Sequence, residues 1–265
     1  MFPILGIIAS QISGGLPVAN PSLWLDASDG TTFTYSSGTV VSQWTDKSSN
    51  AYQFTNSSTS AQPSRSGTQN GKTTVIFDGS NDTLYESTKS KSIFNYLHNG
   101  SGATVFFAKK LTSTASAELA VLGTCTEAGG TQRGFFAGDH YPPTTSLYGG
   151  IGTGTTGENA FNDTTYTNST WEIRTYKSDP NNATSGDKLP SFLNLGAQIN
   201  STSANLTTAS TSNASGWLGI GAVNNGSLTR YYFNGEIAEI LFYPSVLSNG
   251  DKDSVVTYLK TKWGI

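Results

Sequence analysis

The amino-acid sequence predicts an all-β protein built as a two-sheet β-sandwich. Short apolar or alternating runs recur along the chain and are separated by turn residues, which is typical of sandwich strands. The composition agrees, since only 12% of the residues are charged and 29 are glycine, with Ser, Thr and Asn filling much of the rest. These residue types favour strands and turns and weaken helix interiors. The length of 265 residues is enough for one large domain with a buried core.

Charge and cysteine content exclude several classes of protein. The formal net charge is -3 and the longest basic run is the pair Lys109-Lys110, so no nucleic-acid partner is expected. The lone Cys125 cannot close an intrachain disulfide and no zinc-ligand spacing occurs, so we expect a small buried side chain there. The apolar start of the chain is far shorter than a membrane-spanning helix, so no membrane partner is expected.

The chain is expected to divide into a short arm and one domain. Residues 1–21 would form an N-terminal docking arm and linker, and residues 22–265 the sandwich. The arm begins MFPILGII and continues into a stretch rich in Gly and Pro. An exposed apolar peptide is an aggregation hazard and needs a place to bury itself. The arm therefore either docks into a partner or neighbouring subunit, or folds back on its own domain. The candidate docking residues are Phe2, Ile4, Leu5, Ile7 and Ile8.

Most of the chain after Ser22 can be assigned to short strands. The predicted strands are Leu23 to Leu25, Val40 to Trp44, Tyr52 to Phe54, Thr73 to Phe77, Ala103 to Lys109, Leu119 to Gly123, Gly134 to Ala137, Ser146 to Ile151, Trp171 to Tyr176, Leu193 to Ile199, Trp217 to Ala222 and Gly235 to Tyr243. Two polar stretches, Asn56 to Gly71 and Gly149 to Ser169, are expected to be long surface loops.

One helix is predicted near the end of the chain. Ser248 is a good N-cap, and Asp251 follows three residues later, as in a capping box with a shorter acid. Apolar residues then recur at helical spacing over 255–263, and Gly264 follows as a stop signal. We expect the apolar face of this helix to pack against the edge of the sandwich.

Several blocks of sequence resemble one known superfamily. The blocks are LWLDASDG (Leu23–Gly30), VSQWTDKSSNAYQF (Val41–Phe54), QPSR (Gln62–Arg65), NGKTTVIFDGSNDTL (Asn70–Leu84) and FNGEIAEILFYPSVLSNGDKDSVVTYLKTKWGI (Phe233–Ile265). In this order they resemble the leading and closing blocks of the laminin-G-like branch of the concanavalin A-like lectin/glucanase superfamily, in the version found in bacteriophage and bacterial surface proteins. The start of the chain also resembles phage virion proteins. The resemblance covers less than half of the chain and implies a two-sheet jelly-roll β-sandwich, a fold that carries many functions.

The blocks contain two sets of candidate residues. Trp24 and Trp44 lie inside apolar strands, so we interpret both as core anchors rather than as sugar platforms. Asp78, Asn81 and Asp82 follow a strand, and we interpret them as a structural turn whose side chains bond turn amides. A Ca²⁺ site on these three residues is the alternative, since hard cations prefer clustered oxygen ligands. No other cofactor is expected.

The superfamily includes glucanases, so paired carboxylates need to be considered. A retaining glycosidase needs two carboxyl groups about 5 Å apart. The only two glutamates close together in sequence are Glu236 and Glu239, whose spacing of three predicts opposite faces of a strand. Glu239 sits between apolar neighbours, so we expect it to be paired with Lys, Arg or a backbone group inside the sandwich. No catalytic residues and no enzymatic activity are therefore expected, and a glycoside hydrolase is the least favoured function.

Two function classes remain. The first is a bacteriophage virion structural protein, such as a capsid decoration, collar or tail component. It would be exposed on the virion surface, anchored to other virion proteins by its arm, and assembled as an oligomer or on a symmetric particle. The second is a carbohydrate-binding adhesion module that binds host-surface glycans, on a virion, extracellularly or at a cell surface. The candidate glycan-binding residues are Tyr141, Tyr148 and Tyr166, in loops that also hold Phe135 and Phe136. The arm favours the first class.

Overall fold

The computed structural model describes residues 15–112, 118–126, 131–141, 146–155, 157–162, 169–200, 208–224 and 229–265. For 139–141, 146–148 and 157–162 it describes the backbone alone. The docking candidates Phe2, Ile4, Leu5, Ile7 and Ile8 lie outside the described residues. No helix in the described part of the chain is long and apolar enough to cross a membrane.

The strands of the first half of the chain are short and separated by turns. They are β1 (Leu23–Asp26), β2 (Phe33–Ser37), β3 (Val40–Thr45), β4 (Gln53–Thr55), β5 (Ser64–Gln69), β6 (Lys72–Asp78), β7 (Leu84–Tyr85), β8 (Ala103–Leu111) and β9 (Leu119–Gly123). Short 3-10 turns cover Gly30–Thr32, Thr59–Ala61 and Lys91–Leu97.

The second half continues the same pattern and closes with a helix. Its elements are β10 (Arg133–Tyr141), β11 (Ser146–Thr153), β12 (Gly157–Asn162), β13 (Trp171–Ser178), β14 (Ser191–Leu193), β15 (Gly219–Ile220), β16 (Val223–Asn224), β17 (Thr229–Arg230), β18 (Asn234–Tyr243) and α1 (Asn249–Trp263). A fourth 3-10 turn covers Ser185–Asp187.

Hydrogen bonds join most of these strands into one curled antiparallel sheet. Its order is β12-β11-β10-β9-β15-β7-β4-β3-β5-β6-β18-β8-β13-β14, with β1 paired to β18 and β2 to β3, while β16 and β17 pair separately. The two halves of the sheet face each other, as shown by Phe135 of β10 and Tyr176 of β13, whose ring centroids lie 6.0 Å apart. The predicted all-β jelly-roll sandwich with a short C-terminal helix is confirmed.

The core lies between the two halves of the sheet. Along β1, Leu23 and Leu25 point inward while Trp24 is half-buried on the other face. Trp44 is fully buried in the core cluster, as predicted, and Cys125 is buried as a small apolar side chain, also as predicted. Trp24 differs from the prediction, because the outer face of β1 is only partly covered.

Helix α1 begins and ends where the sequence predicts. Ser248 caps its N-terminus by accepting a hydrogen bond from the backbone N–H of Asp251 (3.1 Å), and Gly264 ends it in a left-handed conformation with φ 65°. The expected packing against the sandwich edge is correct in part, because the helix reaches the edge strand β14 but also contacts β8 and β13. The helix lies across the outer face of the sheet, where Trp263 bonds Glu239 of β18 and Lys252 covers Phe192 of β14.

The two predicted surface loops are wrong in part. Strand β5 occupies the second half of the stretch from Asn56 to Gly71, and β11 and β12 occupy much of the stretch from Gly149 to Ser169. Strand β5 carries polar side chains on both faces, so its apolar pattern is weak. Its hairpin turn to β6 is Asn70-Gly71, with φ 48° and 70°, which is the two-residue turn that strongly marks a hairpin in sequence.

Candidate functional site

A cleft opens on the outer face of the sheet, between the linker, β1 and α1. It consists of two adjoining cavities of about 330 Å³ each. The first is lined by Gly15, Trp24, Asp26, Ser28, Lys47, Tyr258 and Lys262. The second is lined by Leu16, Val18, Ala19, Asn20, Pro21, Trp24, Lys47, Ser48 and Ser49. Trp24 and Lys47 border both cavities, and we name the whole feature the Trp24 cleft.

The strand alternation of β1 places the central aromatic side chain of the cleft. Because Leu23 and Leu25 fill the core, Trp24 and Asp26 face outward. The indole N–H of Trp24 donates to Glu239 Oε1 at 2.7 Å, and Lys47 Nζ lies 4.4 Å from the ring centroid. The tryptophan is therefore fixed in orientation while part of its surface stays accessible.

Charged groups surround the tryptophan in a connected network. Lys47 Nζ lies 3.0 Å from Asp26 Oδ2 and 2.9 Å from Asp29 Oδ2. Lys262 Nζ lies 2.8 Å from Asp26 Oδ1, which also accepts hydrogen bonds from the amide and hydroxyl of Ser28 at 3.0 and 2.6 Å. Each ammonium group is thus shared between carboxylates, and the network links β1 to α1 and to the chain after β3.

The electrostatics of the cleft keep this network charged. Burial alone would raise the pKa of Asp26, but Lys262, Ser28 and Lys47 outweigh it and hold the pKa below its usual value. Hydrogen bonds from Thr31 and Lys47 lower the pKa of Asp29 to about 2. Burial would lower the pKa of Lys47, but the two aspartates raise it. The ion pairs therefore persist from neutral pH down to about pH 4, the ordinary range of aspartate.

Glu239 forms the floor beneath the cleft and is fully buried. Its Oε1 accepts from Trp24 Nε1 (2.7 Å) and from the hydroxyl of Tyr258 (3.0 Å). Its Oε2 accepts from Trp263 Nε1 (2.8 Å) and lies 2.7 Å from Lys262 Nζ. Burial raises the pKa of this carboxyl against the opposing attraction of Lys262. Glu239 is paired with a lysine, as predicted, but it lies beneath α1 on the outer face of the sheet and not inside the sandwich. Because both of its oxygens accept hydrogen bonds from α1, it anchors the helix.

The predicted opposite orientation of Glu236 and Glu239 is wrong. Glu236 lies opposite Lys110 of β8 and Glu239 opposite Ala108, with a bulge between Ile237 and Glu239. Because Lys110 and Ala108 are two residues apart, they share a face of β8, and so do the two glutamates. Glu236 is held separately, since its carboxylate lies 2.6 Å from Lys110 Nζ and accepts from Thr74 at 2.6 Å. Each glutamate is therefore occupied by its own set of donors.

The turn of Asp78, Asn81 and Asp82 is closed by its own backbone. Asp78 Oδ1 accepts from the amides of Ser80 (2.8 Å), Asn81 (3.1 Å) and Asp82 (3.3 Å), and the amide of Asp78 donates to Asp82 Oδ2 at 3.0 Å. These contacts are those of the structural turn. Within the described residues, no group of three or more His, Cys, Asp or Glu side chains is arranged to hold a metal ion.

Two of the three tyrosines predicted to bind glycans lie within the described residues, and only their backbone is described. Tyr141 ends β10 and Tyr148 lies in β11, opposite Gly138, while Tyr166 lies outside the described residues. Phe135 and Phe136 are buried in the sandwich and therefore present no aromatic surface to a glycan. Lys47 and Tyr258 of the cleft were not anticipated, because nothing local in the sequence links residues so far apart along the chain.

Comparisons with known proteins identify the fold. The chain matches no protein-family model and no curated protein sequence. Among solved structures it is similar to the binding domain of botulinum neurotoxin DC in complex with SialylT, with a TM-score of 0.58 and 11% identity over 91% of this chain and 52% of the other. It is also similar to the botulinum neurotoxin serotype G binding domain, with a TM-score of 0.55 and 10% identity over 92% and 54%.

A third similar structure bears the description "Cell entry of botulinum neurotoxin type C is dependent upon interaction with two ganglioside molecules". Its TM-score is 0.56, with 11% identity over 91% of this chain and 51% of the other. The chain therefore spans about half the length of these structures. At such low identity, the similarity establishes a shared β-sandwich fold.

Proposed function

We propose that this chain is a carbohydrate-binding module without catalytic activity. The observation that carries the proposal is the Trp24 cleft, where a fixed, half-buried indole is surrounded by charged and hydroxyl-bearing side chains. Support for glycans as the ligand class comes from the similar folds, one solved with SialylT and another described by its interaction with gangliosides. The proposed location is extracellular or at a cell surface, where such ligands are displayed.

The chemistry of the cleft suits a sugar. A sugar ring has an apolar C–H face that can pack on the negative face of an indole, and hydroxyls at its rim that need donors and acceptors. Lys47 has three N–H donors, of which Asp26 and Asp29 use two. Within the described residues no other acceptor contacts Lys47, which leaves the third donor for a ligand hydroxyl. Lys262, by contrast, contacts Asp26, Glu239 and the hydroxyl of Tyr258, so Lys47 is the principal donor to the ligand.

The same contacts argue against hydrolysis. A general acid must carry a proton near the scissile bond, and a nucleophile must have a free oxygen lone pair. Asp26 and Glu239 face each other across β1 and β18, but both bind Lys262 and their oxygens are filled by further donors. We therefore assign them to positioning Trp24, Lys47 and α1.

A glycan array probed with the full chain tests this function. We expect binding that Lys47→Met weakens about tenfold or more, because a charge-assisted hydrogen bond to the ligand is lost. Lys89→Met, at an exposed lysine outside the cleft, is the matched control and should bind like the wild type. Thermal unfolding of each variant confirms that the fold is kept. Absence of binding to every glycan, or equal loss in both variants, would contradict the proposal.

The role as a virion component, and the laminin-G-like branch of phage proteins as the family, remain hypotheses from sequence. They rest on residues 1–14, which lie outside the described residues, and on sequence blocks that the similar structures do not test. A carbohydrate-binding module displayed on a virion would combine the proposed function with the virion role, because binding at the cleft does not depend on how the domain is anchored.

A further inference from the structure

An aromatic surface lies on the β2–β3 hairpin, near the Trp24 cleft. Tyr35 is one of three large apolar side chains that are exposed among the described residues, with 37% of its surface accessible. Phe33 is half-buried beside it, and Arg65 covers Phe33 with Cζ 5.0 Å from the ring centroid. We name Phe33, Tyr35 and Arg65 the Tyr35 ridge.

The ridge is held rigidly by stacking on the core. Phe33 stacks on the fully buried Trp44 at a centroid distance of 5.0 Å and an interplanar angle of 26°. Tyr35 continues the stack at 6.1 Å and 20° from Phe33, and its hydroxyl lies 3.2 Å from Arg65 Nη1. An exposed aromatic ring that is already ordered loses little conformational entropy when a ligand covers it. This arrangement favours a binding platform over a side chain that is exposed by chance.

Arg65 connects the ridge to the cleft. Its Nε donates to the carbonyl of Ala27 at 2.9 Å, and Nη2 lies 3.5 Å from the carbonyl of Ser28. Ser28 lines the cleft. Asp29, the next residue, pairs with Lys47 in the cleft and caps the 3-10 turn that leads into β2. The side chain of Arg65 therefore contacts both the Tyr35 hydroxyl of the ridge and the backbone of Ser28 at the cleft.

We infer that the Trp24 cleft and the Tyr35 ridge are two subsites of one binding surface for a neutral oligosaccharide. The inference rests on the proposed function and extends the ligand from a single sugar to an oligosaccharide. Two aromatic platforms at adjacent positions suit successive rings of a chain, each packing a C–H face on one aromatic ring. Ser28, which lines the cleft and whose carbonyl contacts Arg65, offers polar groups to the sugar that bridges the subsites.

The charges of the surface favour a neutral ligand. Both ammonium groups of the cleft are already bridged by two carboxylates each, Lys47 by Asp26 and Asp29, and Lys262 by Asp26 and Glu239. An anionic sugar would add a further negative charge beside these carboxylates and would be repelled. We therefore expect this protein to bind a neutral oligosaccharide in preference to a sialylated one.

An array carrying neutral and sialylated chains of increasing length tests the inference. We expect wild-type affinity for neutral chains to rise about tenfold as the chain grows long enough to reach both platforms. Tyr35→Ala should remove this gain and leave binding of the shortest ligand unchanged. Tyr35→Phe, which keeps the ring, should retain most of the gain. Leu195→Ala, at another exposed apolar side chain, is the matched control and should leave it intact.

The outcomes separate this inference from the proposed function. Binding whose strength does not depend on chain length, or is unaffected by Tyr35→Ala, would overturn the extended site but leave the single cleft in place. Preference for sialylated chains, with affinity that falls steeply as salt is raised, would overturn the neutral ligand class. Failure of the wild type to bind any glycan would contradict the proposed function itself.

Discussion

Two buried charged clusters lie on opposite faces of the sheet, one on β1, β18 and α1 and the other on β8 and β13, and their hydrogen bonding differs sharply. On the outer face, Glu239 is surrounded by four donors, three of them neutral and one the ammonium of Lys262. On the inner face, Glu172 pairs with Lys109 at 3.0 Å and with Arg174 Nη2 at 3.3 Å. Arg174 is fully buried, and in the part of the chain that the structure describes its Nε and Nη1 contact no hydrogen-bond partner.

The difference shows that burial of a charge does not by itself indicate its contribution to stability. Removing a charge from water costs several kcal/mol, and attraction to a partner offsets that cost only when the remaining polar atoms are also bonded. Glu239 meets this condition and connects β18 to Trp24 and to α1. Arg174 does not, because two of its donors are left without acceptors, and each such group costs about 1–3 kcal/mol. We therefore expect the outer cluster to stabilise the fold far more than the inner arginine does.

The largest expected effect follows from removing the outer carboxylate. Glu239→Leu should lower the free energy of unfolding by about 3–5 kcal/mol, because it leaves two indole N–H groups and the Tyr258 hydroxyl without their acceptor. It also leaves Lys262 with Asp26 as its one carboxylate partner among the described residues. Urea unfolding followed by tryptophan fluorescence measures the loss. The matched control is Glu236→Leu on the same face, whose partner Lys110 is less buried and can reach solvent. Equal losses of unfolding free energy in the two variants would show that the four donors around Glu239 do not make it more stabilising than Glu236.

A smaller effect is expected at a third buried carboxylate, Asp82. Burial and the negative charge of Asp78 raise the pKa of Asp82 to about 6. A folded-state pKa above the unfolded value means that its contribution to stability is present below about pH 4 and is lost as the pH rises through about 6. Asp82→Asn keeps an oxygen for the amide of Asp78 and removes the charge. It should stabilise the fold by about 1–2 kcal/mol near pH 7.5 and by nothing near pH 4.

The same variant distinguishes the turn from the Ca²⁺ alternative. If Asp78, Asn81 and Asp82 bind Ca²⁺, about 1 mM Ca²⁺ should raise the unfolding temperature of the wild type, and Asp82→Asn should abolish that rise. If the turn is purely structural, Ca²⁺ should change neither protein. A calcium-dependent rise in the wild type, together with a loss of stability in the variant near pH 7.5, would contradict the expected gain.

The sequence predicts the elements whose signals are local. The core of β8, the whole of β18 and both ends of α1 follow from apolar runs and from the caps at Ser248 and Gly264. Strand β5 was missed because sheet pairing requires only backbone groups, while its side chains are polar. The orientation of Glu236 relative to Glu239 was wrong because a bulge shifts the strand register, and simple alternation does not anticipate one.

The candidate site was the part least accessible from sequence. Trp24 could be placed on a strand, but its exposure depends on how much of the outer face the linker and α1 leave open. Lys47 and Lys262 are more than 200 residues apart in the chain, yet both bind Asp26. Such a network is created by the sheet order, which brings β1 beside β18 and the helix that follows it. No motif of fixed spacing could have indicated it.

The smallest effect is expected at the inner cluster. Arg174→Met keeps much of the side-chain volume, loses one hydrogen bond of 3.3 Å and removes two donors without acceptors. These changes oppose each other, so the free energy of unfolding should change by less than about 1 kcal/mol. Lys109→Met is the matched comparison and should cost clearly more, because it removes the closer partner of Glu172. A loss from Arg174→Met as large as that from Glu239→Leu would mean that the buried guanidinium is stabilised through its electrostatic field, and not through the hydrogen bonds that distinguish the two faces.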